Sequence, residues 1–221
     1  MRKDIIINST PREVRVAIRE DAEPVEMLIE RADARRIVGN LYKGKVTSVK
    51  PGLQAAFVDI GLDKAGFLHA SDVVHGGTGD PDADEAEEDE PDAGGDRRRG
   101  RNEPVPDIGE ALKVGDEIVV QVTKEPISTK GPRLTADLSL PGRYLVMMPK
   151  GRHIGVSRKI ADRRERVRLK QILQKHRPDR GAFIIRTAAE GAEEKAIAND
   201  VRYLSNLADR IREEAKEVPA P

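Results

Sequence analysis

Apolar and polar positions alternate almost from the start of the chain. In EVRVAIRE (13–20), Val14, Val16 and Ile18 share one face, the period-two pattern of a half-buried strand. DIIINS (4–9) before it is an apolar run, and PVEMLIER (24–31) after it continues the extended theme. STP at 9–11 and EDAEP at 20–24 supply turn chemistry between them. The pattern predicts a three-stranded meander over residues 4–31. A piece of this size is too small to bury a core alone and has to lean on another surface.

From Arg35 to Leu140 the pattern gives five further strands: RIVGNLYKGKVTSVK, LQAAFVDIG, AGFLHAS, EIVVQVTKEPI and PRLTADLSL. Turn signals at Pro51-Gly52, Gly61 to Lys64 and Lys130-Gly131-Pro132 separate them, and Gly44 marks a place where the long first strand could bend. Five short strands with glycine-marked bends predict a closed barrel of the OB type. Between the third and fourth strands, about residues 75–106, lies a stretch rich in Gly, Asp, Glu and Pro and almost free of large apolar residues. Such a stretch cannot offset its ordering entropy, and it is expected to be a disordered insertion within the barrel.

After Leu140 the period changes. YLVMMP reads as a strand, ADRRERVRLKQILQKH as a helix with Leu169, Ile172, Leu173 and His176 on one side, and GAFIIRTA as a second strand. GAEEKAIANDVRYLSNLADRIREEAKE reads as a long helix with Ile197, Val201, Leu204, Ala208 and Ile211 in register. Pro178 and Gly181 end the first helix and Pro219 follows the second. Strand, helix, strand, helix makes a small α/β unit, so the fold class is α+β.

Composition narrows the chemistry. Charged residues make up 35% of the 221 and aromatics only 3%, so the cores are aliphatic and modest in size. There is no Cys, which removes disulfides and thiolate metal sites and fits a reducing compartment. His69, His75, His153 and His176 show no metal-ligand spacing, and no membrane span or signal peptide is visible, so a cytoplasmic location is expected. The zero formal net charge conceals segregation, because Asp80 to Asp92 holds nine acids and no base. The rest of the chain therefore has 39 basic against 30 acidic residues, and a basic body suits an anionic partner such as RNA.

Two of only three Phe fall in GLQAAFVDIGLDKAGFLHAS (52–71). Alternation puts Ala56, Val58 and Ile60 on one face and Phe57 on the other with Ala55 and Asp59, while Phe67 and His69 lie opposite Leu68. Both rings are thus predicted to project away from the aliphatic core, near Lys43, Lys45 and Lys64. Such a platform stacks bases, at about 1–3 kcal/mol per base, while ammonium groups meet phosphates. The same placement also serves rings that plug a barrel end or a domain interface, and the faces alone leave both readings open.

GNLYKGKVTSVKPGLQAAFVDIGLDKAGFLHASDV (39–73) resembles the S1 RNA-binding domain, in the version found in the ribonuclease E/G family of endoribonucleases. IIINSTPREVRVAI resembles that family's opening strands, part of a split ribonuclease H-like subdomain, and KGPRLTADLSLPGRYLVMMPKGRHIGVSRKI with GAFIIRTAAEGA resembles its 5′ sensor. The resemblance covers nearly the whole chain apart from the acidic insertion. It implies an organisation of 1–34 as ribonuclease H-like strands, 35–140 as the S1 barrel and 141–221 as the sensor. It further implies Phe57, Phe67 and Lys130 as RNA contacts, with Lys43 and Lys45 alongside from the strand pattern. For a 5′-monophosphate it implies Gly142, Val146, Arg158, Arg186 and Thr187. An Arg at a strand end offers a planar fork for two phosphate oxygens, and the Thr hydroxyl adds a donor.

The family's Mg²⁺-binding Asp residues and its zinc-linking Cys residues belong to later parts of the enzyme, so no cofactor is expected in this chain; Mg and Zn are implied for the full-length enzyme only. The acidic run lacks the ordered spacing that fixes a cation. The expectation is therefore the substrate-recognition portion of an endoribonuclease, gripping single-stranded RNA but catalytically inactive by itself, with self-association or local disorder where strand edges at the N-terminus are open. The alternatives are a stand-alone S1-domain RNA-binding or regulatory module and a protein-interaction adaptor.

Overall fold

The computed structural model describes residues 2–31, 36–73 and 107–221, so the predicted acidic insertion lies outside the described residues. Contacts divide the chain into two units, Met1–Val38 and Gly39–Pro221.

The first unit is the predicted meander: β1 (Lys3–Ser9), β2 (Glu13–Glu20) and β3 (Glu23–Arg31), antiparallel in that order. Ile5 pairs with Ile18, Ile7 with Val16 and Val16 with Leu28, which gathers the apolar side chains of the alternating pattern on one face. None of residues 2–31 is buried, and Ile5 and Ile7 remain 66% and 64% exposed.

In the second unit β4 (Leu41–Lys50), β5 (Ala55–Asp59), β6 (Gly66–His69), β7 (Glu117–Lys124) and β8 (Arg133–Thr135) close a barrel in the order β4-β5-β6-β8-β7. Val46, Ala56, Val58, Leu68, Val120, Val122 and Leu134 fill it. The short helix α1 (Ile108–Ala111) adds Ile108 to the buried set. Its capping Asp107 accepts from Gly109 N (2.7 Å) and from Gln54 Nε2 (2.9 Å), and Gln54 Oε1 accepts from Ile108 N, so α1 is latched to the turn after β4.

Two elements differ from the sequence expectation. Gly44 is not the bend: the irregularity in β4 lies between Val46 and Ser48, where Thr47 Oγ1 donates to Phe57 O. Gly44 is instead a point of close approach, where a Cβ would lie 2.5 Å from Val58 Cγ1 and 2.7 Å from Asp59 O. Nor does PRLTADLSL form one barrel strand. It breaks after Thr135, whose hydroxyl accepts from Asp137 N, and the buried Gln121 side chain accepts from Ser139 N and donates to Ser139 O. Leu140–Pro141 then enters the next sheet.

That sheet contains β9 (Leu140–Pro141), β10 (Leu145–Met148), β11 (Ile154–Val156) and β12 (Ala182–Ile185) in the order β11-β12-β10-β9, with β11 and β12 parallel. Helices α2 (Arg163–His176) and α3 (Glu194–Glu217) pack on one face. Leu145, Met147, Phe183 and Ile185 meet Leu169, Leu173, Ile197, Val201 and Leu204 there. The third Phe, Phe183, is fully buried, a contribution of about 2–3 kcal/mol. Val146, Met148, Ala182 and Ile184 form a smaller buried cluster of their own. β9 and β11 escaped the sequence reading because two or three residues carry no measurable period. Leu41 packs against the helical core and Lys43 Nζ donates to Val218 O (2.8 Å), which joins barrel and α/β portions within the second unit.

Candidate nucleic-acid interface

The barrel's outer face is organised by register. Ser48 pairs with Phe57, Phe57 with Phe67, and Phe67 with Arg133, so these side chains form one lateral row across β4, β5, β6 and β8. Their neighbours Ala56, Val58, Leu68 and Leu134 point into the barrel. Phe57 and Phe67 are half-buried and meet edge to face, centroids 5.9 Å apart at 75°. The rings are thus less exposed than the alternation alone implied, because each shields the other. Arg133, which the sequence reading passed over, is held by Asp72 at 3.2 Å.

The lysines differ in what they can offer. Lys45 and Lys130 are exposed and bond to no other side chain among the described residues. Lys64 Nζ donates to Ser128 O, which ties the turn bearing Lys130 to the loop before β6. Lys43 is largely committed: its ammonium bonds to Glu117 Oε2 (2.9 Å) and to Val218 O, and the side chain is only 18% exposed.

The α/β portion assembles a second cluster where the parallel strands β11 and β12 end. Arg186 follows β12 and is exposed; its Nη1 donates to Gly142 O (2.7 Å) and its backbone N–H to Tyr144 O (2.9 Å). Thr187 Oγ1 lies 3.1 Å from Ser157 Oγ. Ser157 is buried, its N–H donates to Ile185 O, and its carbonyl accepts from Arg166 Nη1 (2.7 Å). This anchors the turn that presents Arg158, an exposed cation with no side-chain partner among the described residues. Four predicted residues, Gly142, Arg158, Arg186 and Thr187, therefore come to one end of the sheet. Val146 pairs with Pro141 and Ile184 nearby, but its side chain is buried in the small cluster with Met148, Ala182 and Ile184.

The segment before β10 is held from the other side by α3. Asp200 Oδ2 accepts from Tyr144 N (2.8 Å) and Leu145 N (3.0 Å), and Oδ1 accepts from Arg143 N (3.3 Å). Arg143 is exposed, its guanidinium 5.3 Å from the Tyr144 ring. Below Thr187, the 187–192 loop is pinned by Glu165 and Arg168. Glu165 takes two bonds from Arg168 (2.6 Å each) and one from Gly191 N (2.9 Å), which hold its carboxyl down at about 2. Arg168 also donates to Ala192 O. Sequence reasoning missed Asp200 and Ser157, since a helical acid or a strand-end Ser carries no local signal of a distant backbone partner. Among the described residues no group of His, Cys, Asp and Glu comes together that could hold a metal ion, and no helix is long and apolar enough to cross a membrane.

Residues 35–136, which contain the five-stranded barrel, match the S1 RNA binding domain, and this places the chain in an RNA-binding class. Residues 139–221 match the ribonuclease E/G family, and the chain belongs to that family. It is similar to the ribonuclease G proteins of Salmonella typhimurium (strain SL1344) and Escherichia coli (strain K12), 45% identical to each over 98% of this chain and 41% of theirs. It is also 37% identical to ribonuclease E of a Nostoc species, over 83% of this chain and 24% of that protein. The chain thus spans about two fifths of the length of the ribonuclease G relatives.

Proposed function

We propose that this chain is the RNA-gripping part of a single-strand-specific endoribonuclease that acts in RNA processing and decay, and that it recognises a 5′-monophosphate. The observation that carries the reading is the convergence of Arg186, Thr187, Gly142 and Arg158 at one sheet end. A guanidinium braced on one edge by Gly142 O keeps its other donors for two phosphate oxygens, with the Thr187 hydroxyl and the Arg158 charge beside it. The outer row of the barrel supplies the second grip: Phe57 and Phe67 stack bases while Lys45, Lys130 and Arg133 meet phosphates. Val146 takes part through its place in β10 beside the terminal nucleotide, and Lys43 mainly through its charge. No catalytic residue is assigned within this chain, and Mg or Zn belongs to the full-length enzyme in this reading. The relatives' name as ribonucleases supports the class of activity.

The test is fluorescence anisotropy of the chain with 3′-labelled single-stranded RNA carrying a 5′-monophosphate, triphosphate or hydroxyl. Tighter binding of the monophosphate is expected; equal affinities for all three would remove the sensor. Self-association with a second copy through the exposed apolar residues of β1 and β3, including Ile5, Ile7 and Leu28, is part of the same proposal. A sedimentation coefficient that does not change with protein concentration would remove it.

A further inference from the structure

Resting on the 5′-monophosphate reading, we infer that Asp200 is the positioning residue of the phosphate site: it fixes the 142–145 segment so that Gly142 O holds the Arg186 guanidinium in its binding orientation. Ile197, Val201 and Leu204 are buried in the helical core, so Asp200, adjacent to Val201, is carried toward the sheet rather than into solvent. There its carboxylate takes three successive backbone N–H groups, of Arg143, Tyr144 and Leu145. Three N–H groups pointing the same way form a concavity that attracts an anion. Here the protein's own carboxylate occupies it, and the donors are turned toward α3.

The consequence lies on the other side of the same segment. With its N–H groups facing α3, the segment presents Gly142 O to Arg186 Nη1 at 2.7 Å and Tyr144 O to Arg186 N at 2.9 Å. Arg186 is exposed and long, and without a carbonyl brace its fork samples many rotamers. The requirement for glycine at 142 follows as well, since a Cβ there would lie 2.6–2.9 Å from the Asp200 carboxylate. The chain of contacts is therefore Asp200 to the 142–145 segment, the segment to Arg186, and Arg186 to phosphate. Asp200 itself touches no RNA.

The full chain is titrated with 3′-labelled single-stranded RNA bearing a 5′-monophosphate or a 5′-hydroxyl. Asp200→Asn keeps the shape and one acceptor oxygen but turns an amide toward backbone donors. It is expected to lower the ratio of the two affinities by about tenfold, as loss of a charged hydrogen-bond acceptor does. Affinity for the 5′-hydroxyl RNA, which depends on the barrel, stays unchanged. Gly142→Ala is expected to reproduce the loss, and to add nothing when combined with Asp200→Ala, where the collision is gone. An unchanged ratio in Asp200→Asn, with Arg186→Ala abolishing it, overturns the inference while leaving the sensor reading in place. A parallel fall in both affinities for Asp200→Asn gives the residue a folding role only and also overturns it. If the unmodified chain shows no preference for the monophosphate, the sensor reading and this inference fail together.

Discussion

Phe57 and Phe67 stand directly opposite each other on adjacent antiparallel strands, in a T-shaped pair on the face that does not line the barrel core. In the proposed reading each ring supports its partner and presents a surface to a base. Phe57→Ala and Phe67→Ala are each expected to weaken single-stranded RNA binding by about 1–3 kcal/mol. Loss of the ring pair is expected to reduce stability by about 0.5–1.5 kcal/mol. Anisotropy and thermal melting measured on the same samples separate the two effects, and a melting shift without any loss of affinity would make the pair purely structural.

Arg186→Lys keeps the charge but not the planar fork, so it tests geometry rather than electrostatics. The variant is expected to bind 5′-monophosphorylated RNA about tenfold more weakly and 5′-hydroxyl RNA as before. A Lys variant with full monophosphate preference would reduce the site to a point charge.

Salt dependence distinguishes free from committed lysines. For single strands the slope of log affinity against log salt is about −0.7 per phosphate contact, so Lys45→Gln with Lys130→Gln is expected to flatten it by about 1.4. Lys43→Gln is expected to flatten it less, because that ammonium is already bonded to Glu117 and Val218 O. Equal changes from Lys43 and Lys130 would contradict this ranking.

The Glu165 carboxyl titrates at about 2 in the folded chain against an ordinary 4.5, with Arg168 as the largest cause and Gly191 N–H the next. A folded-state value below the unfolded one stabilises above the unfolded value, and that stability is lost as pH falls from about 4.5 toward 2. Arg168 is 41% exposed, so solvent screens the pair and its contribution is about 1 kcal/mol. Glu165→Gln is expected to melt lower than the unmodified chain at pH 7, with the gap closing below pH 4.5. A gap that stays constant across that range would mean the charge plays no part.

At Gly44, Ala is expected to destabilise the barrel by about 1–3 kcal/mol, since the added methyl meets Val58 and the Asp59 carbonyl in a packed wall. Chemical denaturation followed by a barrel-sensitive signal measures it. An unchanged midpoint would show that β4 can move away.

Most of the long elements were legible in the sequence because burial on one face imposes a period: Ala56 and Val58 on β5, and Leu169, Ile172 and Leu173 on α2; Val14, Val16 and Ile18 on β2 carry the same alternation although none of them is buried. The outward placement of Phe57 and Phe67 follows from the same alternation. Their mutual shielding did not, because it depends on which residue lies opposite across the strand pair. Likewise the apolar pattern of LSL points to the barrel, whereas Leu140 pairs with Met147 in the other sheet. The break rests on Gln121, 18 residues earlier, gripping Ser139.

Amino-acid order alone set the strand and helix faces, the aliphatic character of the cores and the residue types suited to phosphate and base, since these depend on neighbours two to four positions away. The joining of Gly142 to Arg186, across 44 positions of chain, and of the 143–145 backbone to Asp200, across 55–57, came only with folding. A hydrogen bond between distant segments leaves no periodic trace in either; it exists once strand order and helix phase have brought donor and acceptor within bonding distance.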